Sequence, residues 1–244
     1  MSNMRRRHIC ALVVALVTLC ACGSGTSKSA SAPTKASPLT KKQVDSALLT
    51  LADLGPGFKA DPDATTGADG EEEFGCISNL DDPGISSPPA AEGQAGFVSE
   101  DDGSLPAVYN AVGTMQNEKQ VKAAYDKVLA VLKTCRQVSL AEGGASLELK
   151  VTSNTDKTHQ DVDHQVNVVA LGTASSGGMS VPFGVWLSWM SLDNNITVVG
   201  YANVKQNVQP NPSLTAHAYT AFAKLQAVIE GKPMPKPSLP ETRG

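Results

Sequence analysis

The densest group of side chains that could do chemistry consists of His159, Asp161, Asp163 and His164. On a β-strand, His159, Asp161 and Asp163 would share one face, which suits a divalent metal ion or acid–base catalysis. The alternative is a polar loop that leads into a strand at Gln165. An envelope hydrolase or a metal-binding protein that uses this cluster is therefore kept as an alternative function.

No other part of the chain supplies catalytic machinery. His217 lies at the flank of a predicted helix, where a histidine is usually a hydrogen-bonded boundary residue, and no Ser or Cys nucleophile is evident beside it. The sequence has no G-x-S-x-G elbow, Walker A loop, H-E-x-x-H motif or Rossmann glycine pattern. The acidic runs 71–73 and 100–102 lack the ligand spacing of a calcium loop. We expect a non-enzyme with no catalytic residues, no metal and no cofactor.

A lipidation site is the clearest chemical signal in the sequence. Leu19, Cys20, Ala21 and Cys22 form a lipobox after three arginines at 5–7 and an apolar stretch at 9–19. That stretch is shorter than the ~20 apolar residues of a membrane-spanning helix and has the build of an export signal. We predict a signal peptide at 1–21 and acyl chains, palmitate among them, on Cys22. An uncleaved anchor or a plain secretory signal is the alternative.

The charge balance restricts the partners of the mature chain. The chain has 20 basic and 24 acidic residues, and removal of residues 1–21 takes away three arginines and no acids, leaving a formal charge of −7. Nucleic acid and anionic lipid surfaces need a basic protein surface, so nucleic acid is excluded as a partner. We expect attachment to the membrane through the N-terminal lipid anchor alone, on the extracytoplasmic face of the cell membrane.

Two cysteines remain once the signal peptide and Cys22 are set aside. In an exported protein, Cys76 and Cys135 are expected to form a disulfide. A metal site or a redox pair is the alternative, although both commonly use closely spaced C-x-x-C cysteines. Cys135 also continues the apolar stripe of a predicted helix, which favours a buried structural thiol.

Composition divides the chain into four parts. Residues 23–38 have almost no bulky apolar side chains, and 22–39 are expected to form a flexible tether. A single ordered domain is predicted at 40–231, followed by a proline-rich disordered tail at 232–244. Within the domain, Thr40 and Gln43 form a capping box for a first helix, which Gly55 ends.

Periodicity predicts an α+β fold for this domain. Apolar residues at helical spacing predict long helices near 117–135 and 213–230, and alternating residues predict strands near 96–99, 107–115, 147–152, 165–173, 183–192 and 196–204. The expected architecture is a single antiparallel sheet of about five or six strands, packed on one face by two long helices, plus a short N-terminal helix.

Large aromatic residues on the predicted hairpin of 183–204 are candidates for ligand binding. Trp186 and Trp189 fall on opposite faces of their strand, so one is expected in the core and the other in a groove. Tyr201, on the partner strand, is the third candidate.

With the lipobox, the tether, the segment from Leu48 to Gly55, Cys76 and Cys135, the chain resembles actinobacterial, especially mycobacterial, cell-envelope lipoproteins. More specifically, it is similar over 40–230 to the group related to the extracellular sensor domain of the receptor kinase PknH. The resemblance implies an antiparallel sheet packed by helices, and a ligand-binding cleft. That group usually carries two disulfides, whereas only Cys76 and Cys135 can pair here. We therefore expect a sensor-like domain that binds a small-molecule or lipid ligand or an envelope protein; a structural surface protein without a ligand is a further alternative.

Overall fold

The computed structural model describes residues 37–61, 75–78, 80, 82–101, 105–204 and 212–237. The predicted signal peptide, Cys22, the tether as far as residue 36 and the acidic run at 71–73 lie outside the described residues. The described chain forms four α-helices, namely α1 (Lys41–Ala47), α2 (Leu51–Leu54), α3 (Glu118–Thr134) and α4 (Pro212–Glu230). It also forms eight strands, namely β1 (Phe58–Ala60), β2 (Ala91–Ser99), β3 (Ala107–Thr114), β4 (Gln137–Glu142), β5 (Ala145–Asn154), β6 (His164–Ser176), β7 (Met179–Leu192) and β8 (Asn195–Asn203).

A single antiparallel sheet of eight strands dominates the domain, in the order β1-β2-β3-β8-β7-β6-β5-β4. Strands β4 to β8 form a meander in which each strand pairs with the next, and β8 then pairs with β3 in the middle of the sheet. The expectation of about five or six strands packed by two long helices is therefore wrong. The sheet is larger than predicted, and the helices are the smaller part of the fold.

The two strands that the sequence pattern missed are the two edges of this sheet. Strand β1 has only three residues, and two of them are exposed. Strand β4 has Val138 and Leu140 as its only large apolar residues. Because an edge strand has one neighbour and buries less of its surface, its apolar alternation is short and weak.

The long helices lie on opposite faces of the sheet. On one face, Leu187 and Trp189 share a core with Val121, Ala124, Val128 and Leu132 of α3; on the other, Trp186 and Met190 share a core with Ala218, Ala221 and Phe222 of α4. We call these the α3 face and the α4 face. The expectation that both helices cover one face is wrong, because β6, β7 and β8 carry apolar residues on both sides and must be covered on both. Among the described segments, no helix is both long and apolar enough to cross a bilayer.

The N-terminal helical segment is two helices and not one. Thr40 and Gln43 form the predicted capping box at the start of α1. A second capping box follows, in which the backbone N–H and hydroxyl of Thr50 both donate to Asp53 Oδ2 at 2.7 Å. The extended link between the helices lets the Leu49 N–H donate to Asn110 Oδ1 at 2.8 Å, which ties this segment to β3 on the α4 face.

Candidate functional site

Small residues open a cleft on the α3 face of the sheet. Ala202 of β8 pairs with Ala107 on one side and with Val185 on the other. Two residues earlier on the same face, a Cβ added to Gly200 would meet Tyr109 Cβ at 3.7 Å, an ordinary van der Waals contact, so there is room above this glycine. The resulting cleft has a volume of about 190 Å³.

The lining of the cleft is largely apolar. Side chains of the α3 face line it, namely Ile77, Leu80, Tyr109, Val168, Val185 and Leu187, and Asp61 and Ser78 add polar groups. Phe97, Val108 and Tyr201 have their side chains in the core of the α4 face and border the cleft through the sheet backbone. Ligand sites commonly combine an apolar lining with a few polar groups. The volume exceeds the roughly 150 Å³ of a cavity that holds benzene, and it is below the ~300 Å³ at which most drug-sized sites begin. The cleft therefore suits one ring or one segment of a hydrocarbon chain.

A disulfide holds one wall of this cleft. Cys76 and Cys135 are bonded, with their Cα atoms 5.7 Å apart, which confirms the predicted bridge. Cys135 caps the C-terminus of α3 and is buried. Cys76 lies in a short 3₁₀ helix, Gly75–Ile77. Because Ile77 follows Cys76 directly, the disulfide fixes this part of the wall to the end of α3.

The three aromatic candidates differ in their relation to the cleft. Trp189 is completely buried on the α3 face, with its ring 5.9 Å from that of Tyr125. Trp186 is buried on the α4 face, with its ring 5.8 Å from that of Tyr201. Tyr201 pairs with Trp186 and has its side chain in the core of the α4 face, so it borders the cleft only through its backbone. Both tryptophans are thus core residues, and neither lines the cleft.

The structure does not bring the His159 to His164 cluster together as a metal site. Residues 159–163 form a turn before β6, and not a strand. The His159 ring lies 4.8 Å from that of Phe222, whereas the His164 ring stacks on Tyr125 at 4.5 Å. The two acids also have separate partners: Asp161 accepts from Gln226 Nε2 at 3.1 Å, and Asp163 accepts from the Asp193 N–H at 2.7 Å. Among the described residues, no group of three His, Cys, Asp or Glu is arranged to hold a metal.

A buried ionic group lies between α2 and α4. Lys224 Nζ donates to Asp53 Oδ2 at 2.7 Å, and both side chains are only 7% exposed. Burial alone would raise the pKa of Asp53, but hydrogen bonds from Lys224 and Thr50 outweigh it and lower this pKa below its usual value. None of these residues lines the cleft.

His217 lies close to this ion pair and is more deeply buried than the sequence indicated. Its side chain is 1% exposed, and its Nε2 has no hydrogen-bond partner among the described residues. Burial lowers its pKa from 6.5 to about 4, opposed in part by the negative charge of Asp53. It is a buried core residue and not the expected boundary residue.

Sequence reasoning missed the residues of the cleft floor. The sequence signal that could have revealed them is Gly200, in the interior of a strand whose other residues are mostly bulky. A glycine inside a strand often marks a close approach or an open space. Ala202 and Ala107 extend that signal, but only the pairing of β8 with β3 shows that the small residues are neighbours.

The fold and the cleft define an α+β domain with one antiparallel sheet, helices on both faces and a small apolar site. No sequence-family model and no curated protein matches the chain. A solved structure with a similar fold is the crystal structure of the extracellular domain of PknH from Mycobacterium tuberculosis. The TM-score is 0.53 at 10% sequence identity, over 81% of this chain and 100% of that one. At this identity the likeness shows the fold alone, and at that level it confirms the resemblance drawn from the sequence.

Proposed function

We propose that this chain is an exported, non-enzymatic lipoprotein of the cell envelope whose domain binds a small apolar or lipidic ligand. Acyl chains on Cys22 hold it at the extracytoplasmic face of the membrane, and the domain at 40–231 senses or carries the ligand there. The lipobox supports export and anchoring. The disulfide supports an oxidising compartment, and the likeness to an extracellular domain agrees with it.

The cleft on the α3 face is the observation that carries the ligand-binding proposal. An envelope partner protein remains compatible with the same surface. The hydrolase alternative has less support, because His159 and His164 contact rings from different helices and lie apart from the cleft.

A pair of matched substitutions tests the proposal. Ala202→Leu places a large side chain at the half-buried floor of the cleft, whereas Ala141→Leu adds the same atoms at an exposed position of edge strand β4. Hexadecanoic acid is titrated into the full chain by calorimetry, in a background that carries Cys22→Ser so that no covalent acyl chain competes.

The parent and Ala141→Leu should both bind hexadecanoic acid saturably. Ala202→Leu should bind it at least about tenfold more weakly, because the leucine occupies the space of roughly two or three methylenes of the ligand. Each methylene contributes ~0.8 kcal/mol when buried. Absence of binding in the parent, or equal binding by both leucine variants, would refute the cleft as the ligand site.

A further inference from the structure

A second apolar groove lies beside the cleft, at the tips of the β4–β5 and β6–β7 hairpins. It has a volume of about 510 Å³ and is lined mainly by Leu140, Leu147, Ala174, Met179, Val181 and Phe183. We call it the tip groove. Met179 is 74% exposed and Val181 is 45% exposed, which is unusual for large apolar side chains that share one concave surface.

The tip groove adjoins the cleft along β7. Val185 lines the cleft, and Phe183, the next residue on the same face of that strand, lines the tip groove. Val181 and Met179 continue the same face to the hairpin tip. From Val185 to Met179 the strand runs roughly 20 Å, at about 3.3 Å per residue. The α3 face therefore offers an apolar path from the cleft to the end of the sheet.

The chemistry of this path fits a hydrocarbon chain better than a protein partner. Residues 165–192, which make up β7 and all of β6 except its first residue, contain no Asp, Glu, Lys, Arg or His. Protein interfaces normally surround an apolar centre with polar and charged groups that fix the register of the partner. A hydrocarbon chain needs no such groups, and its affinity grows with the apolar area that it buries.

We propose that a single long hydrocarbon chain occupies the cleft and the tip groove together, so that the ligand is a long-chain lipid. This rests on the proposed function, since the cleft must hold one part of the chain. The hydrocarbon layer of one membrane leaflet is roughly 15 Å thick, half of a core of ~30 Å. A chain of membrane-lipid length therefore covers most of the roughly 20 Å path, whereas an eight-carbon chain is about half as long as a sixteen-carbon one and cannot reach the hairpin tip.

Two exposed valines provide the test. Val181 in the tip groove is 45% exposed, and Val204, which lines neither groove, is 44% exposed, so Val181→Asp and Val204→Asp are matched in type and exposure. Hexadecanoic and octanoic acids are titrated into the full chain with Cys22→Ser, alone and with each aspartate. Equal melting temperatures of the two aspartate variants check that folding is retained.

Each methylene that is buried raises affinity about fourfold. The parent should therefore bind hexadecanoic acid at least about tenfold more tightly than octanoic acid, even if only part of the added chain is covered. Val181→Asp should remove this preference and leave octanoic acid binding in place, whereas Val204→Asp should keep it.

The possible failures are distinguishable. If the parent binds neither acid, the proposed function itself fails. If the parent binds hexadecanoic acid in the cleft, as Ala202→Leu reports, but Val181→Asp keeps the full preference for the longer chain, the cleft stands and the extended path is wrong. Equal affinities of the parent for the two acids would likewise overturn the extended path.

Discussion

Replacement of the buried His217 should flatten the acid dependence of stability. The imidazole is 1% exposed and its pKa is lowered from 6.5 to about 4 by burial. Between these two pH values the unfolded chain binds a proton that the folded chain does not. The free energy of unfolding therefore falls as the pH falls from 6.5 towards 4, by about 1.4 kcal/mol per pH unit.

The magnitude follows from the two pKa values. Between pH 7 and pH 4.5 the wild-type chain should lose about 2 kcal/mol through this group. The nearby ion pair acts in a different pH range. The pKa of Asp53 is lowered in the folded chain, so the stability that this group gives is present above its ordinary pKa of 3.8 and is lost only below it. The charge of Asp53 also favours protonated His217, so it reduces the effect and does not cause it.

Urea denaturation at pH 7.0, 6.0, 5.0 and 4.5, followed by tryptophan emission, measures this loss. His217→Met replaces the imidazole with an apolar side chain of similar size and removes a buried Nε2 that lacks a partner in the described chain. It should be at least as stable as the wild type at pH 7 and should lose about 2 kcal/mol less by pH 4.5. His164→Met, at a half-buried ring stacked on Tyr125, is the matched control. An unchanged pH profile in His217→Met would refute the assignment.

Two further predictions concern the elements around the cores. Lys224→Met should destabilise the domain by about 3–5 kcal/mol in urea denaturation, because it leaves Asp53 buried and unpaired. The double variant with Asp53→Asn should regain most of this stability. A loss below about 1 kcal/mol in Lys224→Met would contradict the pairing. Cys76→Ser should lower the free energy of unfolding by about 4 kcal/mol, the chain-entropy value for a separation of 59 residues. It should also weaken hexadecanoic acid binding, because Ile77 is no longer fixed to α3. Full affinity in this variant would show that the wall does not depend on the disulfide.

Local signals in the sequence were read correctly where a few neighbouring residues decide the structure. Thr40 and Gln43 form the predicted capping box at the start of the first helix. Export of the chain favours a disulfide, and Cys76 and Cys135 are the two cysteines that remain after the signal peptide and Cys22 are set aside. The structure contains this bond. These features depend on short-range chemistry or on the small number of available partners.

The features that were missed depend on pairing between distant segments. The strands β1 and β4 are edges with little apolar alternation, so the strand count was too low. The prediction that both long helices cover one face was wrong. The residue pattern of β7 shows that both of its sides are apolar, but it does not show which helix covers which side. The floor of the cleft depends on the register of β8 against β3, which brings Ala202 beside Ala107.

The role of the aromatic residues was difficult to assign for the same reason. Large aromatic residues such as Trp186 and Trp189 are common in ligand sites, but here each is covered by a helix that is distant in the chain. Tyr201 packs against Trp186 on the α4 face, whereas the cleft lies on the other face above residues too small to stand out in a sequence.

A crystal structure of the chain with hexadecanoic acid tests the central claim most directly. We predict continuous density for the chain from the floor at Gly200 and Ala202, beneath Ile77, along Val185 and Phe183 towards Met179. Density confined to another surface, or an unoccupied α3 face at saturating hexadecanoic acid, would contradict the assignment of this face as the ligand site.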